Sequence, residues 1–216
     1  MRYLYGMELK LYIEKEIIPR YLGFDAAHGP EHVRSVIERS LALGRIYGLD
    51  QDMLYAAAAC HDIGLAEGRE RHHLASGRMI REDRNLRNWF SEEQIEIIAE
   101  AAEDHRASAG SEPRSIYGRI IAEADRQIDP GLTIRRTVQY GMSHYPELDK
   151  EGHWKRMCEH LNAKYAEGGY LKLLIPESDN AARLSELREI IRDEKRLRAI
   201  FEKEYAASLP GGGAGQ

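Results

Sequence analysis

The chain has 216 residues, of which 43% are hydrophobic and 31% are charged, and its formal net charge is −5. This is the composition of a globular protein with a real core, and the negative balance argues against a DNA-binding surface. The two cysteines lie outside any CxxC arrangement, no apolar run approaches ~20 residues, and the N-terminus lacks a secretory signal. We therefore expect a cytoplasmic protein with reduced thiols and no membrane partner.

Helical periodicity dominates the sequence, and no convincing alternating strand is found. A first predicted helix covers residues 8–22 and ends near Pro19. The next opens with Pro30, where a missing N–H costs nothing, and a third is capped by Asp50 and runs down to His61. Ser91 begins a capping-box pattern before the helix that ends near His105, and a stripe that starts at Ile116 ends at Asp125.

The region from 132 to 206 carries less information. Its apolar spacing predicts two helices and then one long helix from Leu184 to Ile200. The glycine-rich residues 207–216 predict a flexible tail. We find no repeat and no strong linker, so the sequence predicts one all-α domain over residues 1–206, with its motifs at about 28–130 and additional helices after them.

The most informative stretch is the run of four alanines before Cys60, His61 and Asp62. Imidazole and carboxylate groups are natural donors for a divalent transition metal, but the helix dipole also favours a histidine at this end. His32 and Asp125 lie at two other helix ends, beside apolar stripes. Two histidines and two carboxylates in an apolar interior need compensating charge, which a divalent cation supplies. Cys60 is expected on another helix face.

The order His32, His61-Asp62, Asp125 resembles the HD-domain superfamily of metal-dependent phosphohydrolases. The resemblance covers about residues 28–130 and includes the alanine-rich run into His-Asp-Ile-Gly and the phrase Ala-Glu-Ala-Asp-Arg at 122–126. It implies an all-α fold and a metal held by His32, His61, Asp62 and Asp125. It also implies that Asp62 bridges to a second ion and that Asp62 and His61 serve catalysis by metal-activated water.

Dinuclear members of this superfamily add two histidines between the His-Asp pair and the last Asp. His72 stands four residues before Ser76 and matches the first of them, with His73 as the alternative. His105, at a helix end, matches the second. An exposed histidine pair and a surface histidine remain the plain interpretations, so the sequence allows one or two ions, from among Fe, Mn, Zn, Co, Ni and Mg.

The implied substrate is a small phosphorylated molecule such as a nucleotide. Arg69, Arg106 and Arg126 are candidate phosphate ligands because guanidinium offers a planar, bidentate fork, and His28 is a candidate proton donor. Further specificity candidates, including a stacking surface for a base, are Tyr140, His144, Tyr145, His153, Trp154 and Arg156. Two alternatives stay open: an HD-type di-iron oxygenase acting on a small polar substrate, and a non-catalytic nucleotide-binding module. No pattern predicts the oligomeric state.

Overall fold

The computed structural model describes residues 8–25, 28–106 and 112–209, and these residues form helices without any strand. The all-α prediction is confirmed. The chain divides into two compact units: unit 1 comprises Met1–Arg126 and Leu174–Ser178, and unit 2 comprises Gln127–Leu173 and Asp179–Gln216. The single domain over residues 1–206 stays a prediction. No helix in the described ranges combines the length and apolar character needed to cross a bilayer.

Unit 1 begins with a helical segment over residues 8–23. It continues with α1 (Pro30–Ile46), α2 (Gln51–Cys60), α3 (His72–Glu82), α4 (Glu92–Asp104) and α5 (Ile116–Asp125). The predicted caps are present, since Asp50 accepts the N–H groups of Asp52 and Met53, and Ser91 and Gln94 form a capping box. Short 3₁₀ helices over Ile63–Glu67 and Arg84–Asn88 complete the unit.

Helix α2 lies at the centre of unit 1. Its residues 56–59 are all alanine and fully buried, and it packs against α1, α4, α5 and the N-terminal segment. Because the distance between packed helices depends on the side chains at the contact, a face of alanines lets the neighbours come close. The C-terminal end of α2 is thereby enclosed by other helix ends.

The N-terminal segment differs from its prediction, because it does not end near Pro19. The chain passes through a π-helical stretch over Ile13–Ile17 and continues as a 3₁₀ helix over Ile18–Gly23. Proline lacks an N–H, and here it stands in the first turn of the 3₁₀ helix, where that N–H is not needed. The extra turns carry Tyr21, which is fully buried.

Unit 2 contains α6 (Pro130–His144), α7 (Lys150–Tyr165), α8 (Asp179–Arg192) and α9 (Glu194–Ser208), packed around their own apolar cluster. The single long helix predicted from Leu184 to Ile200 is wrong. The chain breaks at Asp193, whose side chain accepts the N–H of Arg196 and so caps α9. Helix α9 extends to Ser208, into the predicted tail; residues 210–216 lie outside the described ranges.

Candidate metal centre

Six of the side chains singled out in the sequence lie at the ends of the five helices of unit 1. They are His32 in the first turn of α1, His61 and Asp62 directly after α2, His72 at the start of α3, His105 directly after α4, and Asp125 at the end of α5. Separate helix ends therefore converge on one place, with Asp62 in the middle.

One oxygen of Asp62 faces the first pair of imidazoles. Its Oδ2 lies 3.3 Å from His61 Nε2 and 3.7 Å from His32 Nε2. Asp125 closes this side, with Oδ1 3.2 Å from His32 Nε2 and 3.8 Å from His61 Nε2. Two imidazole nitrogens and two carboxylate oxygens thus converge on one side of Asp62.

The other oxygen of Asp62 faces a second pair of imidazoles, those of His72 and His105. Its Oδ1 lies 3.2 Å from His72 Nε2 and 3.3 Å from His105 Nε2, and these two nitrogens are 3.2 Å apart. His32, His61 and Asp62 form one group, and Asp62, His72 and His105 form another; within each, the candidate ligand atoms all lie within 4.8 Å of one another. Asp62 is the residue that the two groups share.

Three of the four imidazoles are oriented by backbone carbonyl groups. The Nδ1 atoms of His61, His72 and His105 lie 2.7, 2.8 and 2.5 Å from the carbonyl oxygens of Ala58, Arg69 and Ala102, respectively. A ring nitrogen that faces a carbonyl oxygen carries the proton, so each neutral ring presents the lone pair of Nε2 to Asp62. This is the tautomer that binds a metal through Nε2.

The donor set fits a divalent cation. Asp62 is buried, and no described hydrogen-bond donor reaches its Oδ1. With neutral rings, Oδ1 faces the lone pairs of His72 and His105, an arrangement that is repulsive unless a cation lies between these atoms. Nitrogen and carboxylate oxygen donors in this number suit a transition metal. The cluster of His32, His61, Asp62, His72, His105 and Asp125 can therefore hold a divalent metal ion.

The charges within the cluster depend strongly on one another. Burial opposes a positive charge on His61, but Asp62 and Asp125 raise its pKa to about 9. Burial likewise opposes ionisation of Asp62, yet the surrounding imidazoles hold its pKa far below the usual range. A carboxylate that stays ionised in a buried position is a strong attractor for positive charge, whether from protons or from a metal.

Tyr21 is a supporting residue that sequence reasoning missed. Its hydroxyl donates to the carbonyl oxygen of Ala59 at 2.8 Å and accepts the N–H of Asp62 at 3.3 Å. The side chain therefore holds the turn between α2 and Asp62 in place. Its sequence signal was an apolar position four residues after Ile17, which identifies a core residue but not the group that it contacts.

The candidate substrate residues occupy different environments. Asp25 accepts from His28 Nδ1 at 2.8 Å and from the exposed side chain of Arg69 at 3.2 Å. The His28 ring lies 5.8 Å from that of His32. Arg106 donates to the carbonyl oxygen of Glu70. The structure thus brings His28 next to the cluster, with Arg69 joined to it through Asp25.

Arg126, His73 and Cys60 do not contribute to the cluster of candidate ligands. The guanidinium group of Arg126 lies 3.9 Å from the buried carboxylate of Glu123, which also accepts from the backbone N–H of Leu174. His73 contributes no donor to either group of candidate ligands among the described residues, and neither does Cys60. Cys60 lines a separate cavity with Tyr12, and burial raises its pKa to about 12.

Comparison with known proteins gives one finding. Residues 30–127 match the family model of the HD domain, and this segment spans all six residues of the cluster. No curated protein and no solved structure shows significant similarity to the chain.

Proposed function

Because residues 30–127 match the family model of the HD domain, we propose that the chain is a metal-dependent phosphohydrolase acting on a nucleotide or another small phosphoester. One observation carries the proposal: each oxygen of Asp62 faces a pair of imidazole nitrogens, at distances between 3.2 and 3.7 Å. This symmetry supports two ions. His32, His61, Asp62 and Asp125 would hold one of them, and Asp62, His72 and His105 would hold the other.

A bound divalent cation supplies water with a pKa lowered from ~15.7 towards ~7 and positive charge that polarises the phosphoryl group. The residues of this chain supply the geometry. Asp62 and the three carbonyl-bonded imidazoles are held by packed helix ends, so little reorganisation is needed when a substrate binds. Tyr21 fixes the backbone at Asp62 and acts as a positioning residue.

Protonation of the leaving group is the role we assign to His28. Its Nδ1 donates to Asp25, which fixes the ring orientation, and in the protonated ring Nε2 carries the proton that the leaving group receives. Arg69 shares Asp25, and its side chain is 71% exposed, so it can exchange this ion pair for a substrate phosphate. Arg106 is the second phosphate candidate on this side. Arg126 is the weaker candidate, because its guanidinium group lies close to Glu123.

The test combines metal analysis with a phosphoester panel. Protein purified without added metal is analysed for bound ions, loaded with Mn²⁺, Fe²⁺ or Co²⁺, and assayed on nucleoside monophosphates, cyclic nucleotides, dinucleotides and p-nitrophenyl phosphate. We expect phosphate or nucleoside release that Asp62→Ala reduces by at least ~100-fold, together with loss of bound metal. Cys60→Ala is the matched control, because Cys60 is also buried but contributes no donor.

Two outcomes overturn the proposal. A metal-loaded protein that is inert on the whole panel and consumes oxygen with a non-phosphorylated polar substrate is an oxygenase using the same ligands. A protein that binds nucleotides equally well with and without metal, and releases no product, is a binding module.

A further inference from the structure

Unit 2 contains a cavity of about 580 Å³ between α6 and α7, and its lining carries positive charge. Arg136 contributes from α6, and Arg156 and Lys164 contribute from α7. Among the described residues that line the cavity, none is acidic. In a chain with a net charge of −5, this local excess of cations is a specific feature of the cavity and not a reflection of overall composition.

The three cations also lack carboxylate partners. Within the described ranges, neither Arg136, Arg156 nor Lys164 forms an ion pair with a carboxylate, whereas Arg135, next in sequence to Arg136, pairs with Glu204 at 2.8 Å. Holding three like charges around one cavity is unfavourable unless an anion neutralises them. The cavity therefore favours a negatively charged occupant.

Arg156 is held in a fixed position at this cavity. It donates from Nη2 to the carbonyl oxygen of Thr137, and its Nε is buried without a hydrogen-bond partner. A Cβ atom at position 141 would lie 2.7 Å from that Nε, so glycine at this position leaves the room that the guanidinium group occupies. The group is anchored by one nitrogen and keeps other donors for a ligand.

Aromatic rings lie beside the charges. The guanidinium carbon of Arg156 is 5.4 Å from the ring centre of Tyr145 and 5.7 Å from that of Tyr140. Tyr140 stacks on His144 at 3.9 Å and is 51% exposed. Burial together with the charges of Lys164 and Arg156 lowers the pKa of His160, another lining residue, as expected for a positive potential in the cavity.

We propose that this cavity is a binding site for a nucleotide, separate from the metal cluster of unit 1. Arg136, Arg156 and Lys164 bind the phosphate group, because charge-assisted hydrogen bonds to phosphate are the strongest such contacts available to them. Tyr140 and Tyr145 offer flat surfaces for the base. The volume lies within the ~300–1,000 Å³ of small-molecule sites. The inference does not depend on the proposed catalytic function.

The test is calorimetric titration of the full chain in EDTA, so that binding at a metal centre does not contribute. The probes are AMP, adenosine and ribose 5-phosphate. We expect AMP to bind, and adenosine and ribose 5-phosphate each to bind at least ~10-fold more weakly, because each lacks one half of the recognised ligand. Arg136→Gln and Lys164→Gln should each weaken AMP binding about 10-fold or more.

Lys155→Gln is the matched control. Lys155 also lies on α7, and its side chain is 79% exposed and outside the cavity lining, so the affinity for AMP should stay within about twofold of the unmodified protein. The proposal is overturned if AMP does not bind, if adenosine binds as well as AMP, or if Lys155→Gln weakens binding as much as Arg136→Gln. Loss of AMP binding in the Asp62→Ala variant would indicate that AMP binds in unit 1, and this result would also overturn the proposal.

Discussion

At the residue scale, one contact serves both helix termination and ligand orientation. The last carbonyl groups of a helix lack intrahelical partners, and the Nδ1 atoms of His61 and His105 each lie within 2.7 Å of the carbonyl oxygen three residues earlier. Each histidine therefore satisfies the end of its own helix and directs Nε2 towards Asp62. A histidine at a helix C-terminus is in this protein both a dipole-favoured residue and a candidate ligand.

The choice between the adjacent histidines 72 and 73 is decided by geometry and can be tested. His72 Nε2 lies 3.2 Å from Asp62 Oδ1, whereas His73 offers no donor to the cluster. We expect His72→Ala to lower the bound metal from about two ions per chain towards one, since one ion loses a ligand, and His73→Ala to leave it unchanged. Plasma emission spectrometry of the purified variants measures this ratio.

The reverse result, in which His73→Ala halves the metal content and His72→Ala does not, would show that α3 presents the other face of its first turn. No change in either variant would mean that the centre binds one ion or that other residues complete it.

At the element scale, the start of α3 is set by its contact with the 3₁₀ helix after α2. The N–H of Gly64 donates to Ser76 Oγ at 2.9 Å. A Cβ atom at position 64 would lie 2.1 Å from the carbonyl oxygen of His72 and 2.5 Å from the backbone nitrogen of Ser76. Glycine at 64 is thus required by close approach, and this approach places His72.

Gly64→Ala is therefore expected to displace the first turn of α3. The methyl group meets backbone atoms that have no room to move, so we expect a loss of about 1–3 kcal/mol in unfolding free energy. At about 2–4 °C per kcal/mol for a chain of this size, thermal unfolding should shift by several degrees, with weaker binding of the ion next to His72. Gly23→Ala is the control, because a Cβ atom there meets nothing within 4 Å; equal shifts in both variants would contradict this explanation.

At the scale of the whole molecule, the candidate ligands lie between positions 32 and 125 and come from five helices of unit 1. A cation that binds them interacts with the folded chain and much less with the unfolded one, so binding stabilises the fold. The close approach at Gly64, the hydrogen bond between Tyr21 and Asp62 and the packing of α2 all position residues of the metal cluster.

We expect metal to raise the thermal midpoint of unfolding. At a free ion concentration of 100 Kd the stabilisation is about 2.7 kcal/mol per site, which corresponds to about 5–10 °C. Scanning calorimetry of EDTA-treated and Mn²⁺-loaded protein measures the shift. In Asp62→Ala the two midpoints should coincide, and coincidence in the unmodified protein would show that the cluster binds no ion.

Much of unit 1 was predictable because its signals are local. Pro30, Asp50 and the capping box at Ser91 fix helix starts through contacts within four residues, and each is present in the structure. The order of the histidines and aspartates indicated the HD domain whose family model residues 30–127 match, and it named the six residues that the structure brings together. Unit 2 was less predictable, since the break at Asp193 is a single cap within a continuous apolar pattern.

The sequence by itself thus determined the helical class, most helix boundaries of unit 1 and the donor types, all of which depend on residues a few positions apart. Only the tertiary structure decided that His72 rather than His73 faces Asp62, that Tyr21 supports Asp62, and that cations from α6 and α7 line one cavity. These features depend on contacts between residues far apart in sequence, and such contacts are fixed by how helices pack rather than by the periodicity of any one of them.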